Sequence, residues 1–179
     1  MKNTMKLFVV FVFTAIIGFS FIACDDVGGN DPLNGTWVNS VYGVQLVLNN
    51  GNFTVSMSSV EMYKGTYSTS ASNMTMAITQ FSGPMLNMMY DEFTFSEPWY
   101  TRAQFKTALL QEIIALFGIP GMTEALAEAA FNELLAMEEP GMTLELMLDG
   151  MFYSETGPYT LNDNTLTVTM EGESISFTR

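Results

Sequence analysis

Short segments of alternating apolar and polar residues, separated by Asn- and Gly-rich breaks, constrain this chain most. Val44, Leu46 and Leu48 alternate with Gln45, Val47 and Asn49; Phe53, Val55 and Met57 alternate with Thr54 and Ser56. Met74, Met76 and Ile78 alternate with Thr75, Ala77 and Thr79, and Leu144, Leu146 and Leu148 with Glu145, Met147 and Asp149. Leu166, Val168 and Met170 alternate with Thr167, Thr169 and Glu171, and Ile175 and Phe177 with Ser176 and Thr178. A period of two puts the two sets on opposite faces of a strand, one buried and one wet. The wet face is often Thr, whose β-branch suits a strand. The breaks carry turn chemistry: Asn49-Asn50-Gly51-Asn52, Ser70-Ala71-Ser72-Asn73, Asn162-Asp163-Asn164 and Glu171-Gly172-Glu173. Asn and Gly accept the positive φ of tight hairpins. The pattern predicts a mainly β fold, an antiparallel barrel or sandwich.

The chain also echoes itself. Gly65-Thr66-Tyr67 precedes Met74 as Gly157-Pro158-Tyr159 precedes Leu166, nine positions after the glycine in both. These read as two similar hairpins, each beginning with G-x-Y. Ordinary likeness between barrel hairpins accounts for them, since two copies do not make a solenoid.

Residues 81–140 break the alternation. Phe81 to Glu97 is irregular and Met-rich, with a short strand at Phe93-Thr94-Phe95. A helix is expected from about Tyr100 to Phe117, with Phe105, Leu109, Ile113, Leu116 and Phe117 on one arc. A second runs from about Thr123 to Glu138, with a stripe of Leu126, Ala127, Ala130, Phe131, Leu134 and Met137. Thr123 caps it and Glu124 suits its positive end. Gly118-Ile119-Pro120-Gly121 turns the chain between them. The expected fold is a barrel domain over residues 33–179 with an αα-hairpin inserted at about 98–139. The hairpin's apolar faces cover each other, a barrel mouth or a partner.

Composition removes much chemistry. There is no histidine, which excludes His-based acid–base work and most zinc and copper sites. The phosphate-binding loop, dinucleotide fingerprint and serine-nucleophile motifs are absent. The neighbouring acids Asp91/Glu92 and Glu138/Glu139 do not converge, because adjacent side chains diverge on strand or helix. No enzyme activity, cofactor or metal is expected. The 15 methionines read as adaptable apolar filling rather than a thioether copper site. Beyond residue 23 the chain has four bases, Lys64, Arg102, Lys106 and Arg179, against all 19 acidic residues. That balance argues against nucleic acid and against charge-driven binding to anionic lipid. Arg102 and Lys106 lie near a helix start, an unfavourable place for cations. Pairing with acids such as those of the second helix is expected; the sharper alternative puts them at a cavity rim facing a ligand carboxylate.

Phe21-Ile22-Ala23-Cys24 holds the single cysteine. Lys2 and Lys6 precede an apolar run from Leu7 to Ala23, and Asp25 and Asp26 follow it at once. This resembles a bacterial lipoprotein signal peptide ending in a lipobox. The resemblance implies removal of residues 1–23, lipidation of Cys24, and residues 24–32 as a tether. The protein would then sit in the bacterial cell envelope, lipid-anchored to a membrane on its periplasmic face or at the cell surface.

Gly35-Thr36-Trp37 opens the first strand and Arg179 ends the last. G-x-W on the first strand with Arg on the last resembles the lipocalin-like barrels. By resemblance, Gly35, Trp37 and Arg179 close the barrel floor through a cation–π contact, in a barrel of about eight strands. A transmembrane barrel needs strands of ~9–11 residues, longer than most here. The leading expectation is binding of a small apolar or amphiphilic ligand inside the barrel. Its lining would be Leu46, Leu48, Phe53, Val55, Met74, Met76, Leu144, Leu146, Leu166 and Val168, with Arg102 and Lys106 at the rim. The alternative is a non-enzymatic interaction protein that meets a protein or glycan through the helical insert, with Trp99 and Tyr100 contributing.

Overall fold

Where apolar and polar residues alternate between Val44 and Ile78 and again after Ser154, the chain forms strands, and in Val44–Asn49 and Thr165–Met170 every second side chain is buried. The computed structural model describes residues 31–179. They form two units, one of residues 31–77 with Ser154–Arg179, the other Ile78–Tyr153. The signal segment, Cys24 and most of the tether lie outside the described residues. The tether's end, Asp31-Pro32, belongs to the first unit: Asp31 accepts a hydrogen bond from the Tyr67 hydroxyl, and Pro32 one from Arg179.

The first unit is built from β1 (Gly35–Asn39), β2 (Val44–Asn49), β3 (Asn52–Met57), β4 (Val60–Ser70), the first half of β5 (Asn73–Ser82), β7 (Ser154–Asn162), β8 (Thr165–Met170) and β9 (Glu173–Thr178). The neighbour order is β4-β3-β2-β1-β9-β8-β7-β5, and β4 also pairs with β5. This closes eight antiparallel strands into a barrel. Register aligns the apolar sets: Trp37 opposite Leu46, Leu46 opposite Val55, Leu48 opposite Phe53 and Leu166 opposite Phe177. The wet faces carry hydroxyl pairs, Thr75 with Thr156 at 2.7 Å, Thr167 with Ser176 at 2.8 Å and Thr169 with Ser174 at 2.7 Å. Such cross-strand pairs are part of what fixes a sheet's register.

Two-residue hairpins join β2 to β3 and β8 to β9. Asn50-Gly51 and Glu171-Gly172 have positive φ at both positions, as the strand twist requires. Ser58-Ser59, between β3 and β4, does the same with φ of 50° and 67° and no glycine. The second position is where glycine relieves left-handed strain. Ser59→Gly is therefore expected to stabilise the fold by up to about 1 kcal/mol, a rise of ~2–4 °C in melting temperature. A lower melting temperature would contradict this reading of the turn.

The G-x-Y echo has a steric cause. A Cβ on Gly65 would lie 1.9 Å from the Ala77 carbonyl oxygen, and one on Gly157 would lie 1.7 Å from that of Thr169. Each obstructing carbonyl lies twelve residues on, across the same hairpin, β4–β5 or β7–β8. The two hairpins share register as well as sequence, and each admits only glycine where the backbones converge.

The second unit holds α1 (Gly83–Met89), β6 (Trp99–Thr101), α2 (Arg102–Phe117), α3 (Glu124–Glu138) and α4 (Leu144–Met151). β6 pairs with the end of β5, Phe81 opposite Tyr100. Each helix starts on a hydroxyl cap: Ser82, Thr101, Thr123 and Thr143. At Thr101, Gln104 completes a capping box. Gly118, at φ 59°, ends α2.

Two expectations are corrected here. Leu144, Leu146 and Leu148 form no strand and line no barrel: they lie on α4, where Leu144, Leu148 and Met151 are buried and Leu146 is exposed. The i, i+4, i+7 spacing wins because the segment holds strong helix formers, no β-branched residue, and Thr143 as cap. Phe93-Thr94-Phe95 is not a strand. The αα-hairpin expected at about 98–139 is present as α2 and α3, and α1, α4 and the end of β5 join it in the unit Ile78–Tyr153.

Candidate functional site

The barrel floor is built around Trp37. Its indole is fully buried and donates to the Leu33 carbonyl at 2.8 Å. The Arg179 guanidinium lies 4.0 Å from the ring centroid, in cation–π geometry, and donates to the carbonyls of Pro32 and, at 3.1 Å, Asn34. Gly35 has φ 143°, and a Cβ there would meet Arg179 at 3.5 Å. Glycine thus leaves the strand start free to adopt this conformation beneath the arginine.

Above the floor, the expected lining is largely sealed. Leu48 is 1% exposed, and Met74 and Leu166 are at 0%. Leu46, Phe53, Val55 and Val168 are also buried, whereas Met76 is only half-buried. Side chains shut off from a water-sized contact pack against one another rather than around a void.

Tyr67, on β4, is buried too. Its hydroxyl lies 2.5 Å from an Asp31 carboxylate oxygen and 3.2 Å from Asn34 Oδ1. Burial, followed by the hydrogen bond to Asp31, pushes its pKa up to about 12. In the other unit, burial alone pushes Tyr90 up to about 12. A phenol whose folded pKa is raised lends stability that is complete below its unfolded value near 10 and is lost as pH rises through 12. Alkaline unfolding is therefore expected to steepen between pH ~10 and 12, and Tyr67→Phe should flatten that slope. Chemical denaturation across this range checks it, and an unchanged slope would contradict it.

In the second unit, Tyr90, Phe95, Tyr100, Phe105 and Phe152 form an aromatic core, with Phe95 and Phe105 centroids 5.4 Å apart. The Tyr90 hydroxyl points at the Met147 and Met151 sulfurs, at 3.7 and 3.8 Å. Tyr100 is buried here and presents no surface to a partner; its hydroxyl accepts from the Glu97 backbone N–H at 2.8 Å.

Arg102 and Lys106, expected at a rim or paired, are paired. Arg102 contacts Glu145 and, at 2.8 Å, Asp149. Lys106 contacts Glu145 at 2.6 Å and Glu128 at 2.9 Å. The cations on the first turns of α2 thus tie it to α3 and α4, which offsets their poor position against the helix dipole. Lys106, then Arg102, holds the Glu145 carboxyl below its usual range. A general acid needs the opposite shift. Among the described residues no group of three or more His, Cys, Asp or Glu is arranged to hold a metal ion, and no helix is long and apolar enough to cross a membrane.

The feature that the sequence stripe concealed is the outer face of α3. Ala127 and Leu135 are buried, but Leu126 is 58%, Leu134 48% and Met137 82% exposed. Leu116, Phe117 and Ile119, at the end of α2 and in the turn, are exposed too. Of the stripe read as one face, Ala127 is buried, Ala130 and Phe131 are half-buried, and Leu126, Leu134 and Met137 are exposed. Comparison of the chain with protein-family models, curated proteins and solved structures finds no match.

Proposed function

We propose that this is a lipid-anchored, non-enzymatic protein of the bacterial cell envelope, whose barrel is a rigid scaffold and whose helical unit is its interaction surface. The observation that carries the reading is the exposed apolar row Leu126–Leu134–Met137 on a helix already buried along its other side. Exposed apolar side chains gathered on one helix face mark a candidate partner site. The sealed lining around Leu48, Met74 and Leu166 supports the scaffold role. Anchoring rests on the sequence around Cys24; acyl labelling that survives in Cys24→Ser would remove it.

The test is the mass of the solubilised complex. Protein extracted in mild detergent from its own envelope is expected to run as a complex, and the triple substitution Leu126→Ser, Leu134→Ser, Met137→Ser is expected to return it to monomer mass. Identical behaviour of the two would overturn the reading.

A second reading rests on the fold, because an eight-stranded barrel is compatible with ligand binding. A small apolar or amphiphilic molecule would be its ligand. Organic extraction and mass spectrometry of the purified protein would establish this reading by recovering one such molecule, and an empty barrel would end it.

A further inference from the structure

We infer that the outer face of α3, with the adjoining tip of the α2–α3 hairpin, receives a basic amphipathic helix of a partner protein. This rests on the surface reading above and gives the partner its chemistry.

The shape of the site comes from helix periodicity. Leu126, Ala130, Leu134 and Met137 stand at spacings of four, four and three, on one face of α3. The row runs for three turns, ~16 Å. Leu116, Phe117 and Ile119, at the end of α2 and in the turn that leads into α3, are exposed as well. A ridge with this spacing fits the groove of another helix better than an extended strand. Met137, the most exposed member, is unbranched and adapts to varied apolar neighbours.

The charge of the occupant comes from the unit's own charges. Ile78–Tyr153 holds eleven acidic residues against two bases, Arg102 and Lys106. Both bases are engaged with Glu128, Glu145 and Asp149. Glu133, exposed, lies within the apolar row itself, seven residues from Leu126, and Glu138 lies at its end. A second copy of this chain would bring like charge against like charge, and an anionic lipid surface would be repelled in the same way. A cationic helix is attracted at a distance, then buries its leucine-like face on the row while its lysines or arginines meet Glu133 and Glu138.

The probe is a short synthetic helix of leucine and lysine, its leucines at three- and four-residue spacing, titrated into the full chain in detergent. Binding is expected, weakening with added salt and falling at least ~10-fold in Leu134→Ser/Met137→Ser. Both positions are solvent-exposed, so the variant should keep its melting temperature, which circular dichroism checks. A matching leucine–glutamate helix should not bind. If the glutamate helix binds as well as the lysine helix and loses binding in the variant, the basic class is wrong while the surface reading stands. If the well-folded variant binds the lysine helix unchanged, both are wrong. Self-association, or flotation with anionic vesicles, that depends on Leu134 and Met137 would also overturn the proposal.

Discussion

Gly157→Ala loses about 3–5 kcal/mol of stability, or fails to fold. The added methyl carbon would sit 1.7 Å from the Thr169 carbonyl oxygen. That is backbone, not the end of a flexible side chain, so one strand must move. Moving β7 from β8 breaks a pairing that runs from Tyr159–Val168 to Asn162–Thr165. Gly65→Ala is expected to behave alike, because its Cβ would lie 1.9 Å from the Ala77 oxygen and 2.8 Å from Phe53. The control is Gly118→Ala, which has open space around it and φ 59°. It carries only the left-handed penalty, ~1 kcal/mol. Urea denaturation of the three variants tests the ordering. A Gly157→Ala protein as stable as Gly118→Ala would contradict the close strand approach.

Trp37→Ala is expected to lose about 3–5 kcal/mol, roughly 10 °C or more in melting temperature. The indole is fully buried, its N–H is bonded to Leu33, and its ring supports Arg179. Truncation leaves a cavity and frees the guanidinium at once. Arg179→Met separates these parts, because it keeps an apolar stem over the ring and removes the charge. Its expected cost is ~1–2 kcal/mol, from the cation–π contact and the bonds to the Pro32 and Asn34 carbonyls. In the double variant the two losses should not add, since the residues touch. Additive losses would mean that the ring and the arginine act separately.

The barrel was legible because its signals are local. Period-two alternation from Val44 to Ile78 and from Leu166 to Phe177, with Asn–Gly and Glu–Gly turns, specifies strands, faces and hairpins together. The contact between Trp37 and Arg179 followed from a resemblance, and the guanidinium lies over the ring as expected. Two things were hidden. The run Leu144–Asp149 satisfies a period of two and also i, i+4, i+7; Thr143 and the lack of β-branched residues were the signals that decide between them. The Ser58-Ser59 turn carries no glycine, so β4 lacked a visible start.

The candidate surface was half legible. The apolar stripe on α3 could be read from the sequence, but its division could not. Whether Leu134 or Leu135 faces inward depends on how α3 is rotated against α2, which tertiary packing sets. The pairing of Lys106 with Glu128 and Glu145 fixes part of that choice, and it joins residues far apart in the chain.

The most direct measurement is site-specific photocrosslinking in the living envelope, with the reactive side chain at Leu134, at Met137, or at Thr36 on the exposed face of β1. The account predicts one discrete partner band from the two α3 positions and none from Thr36. Equal yields from all three positions, or a band from Thr36 alone, would contradict it.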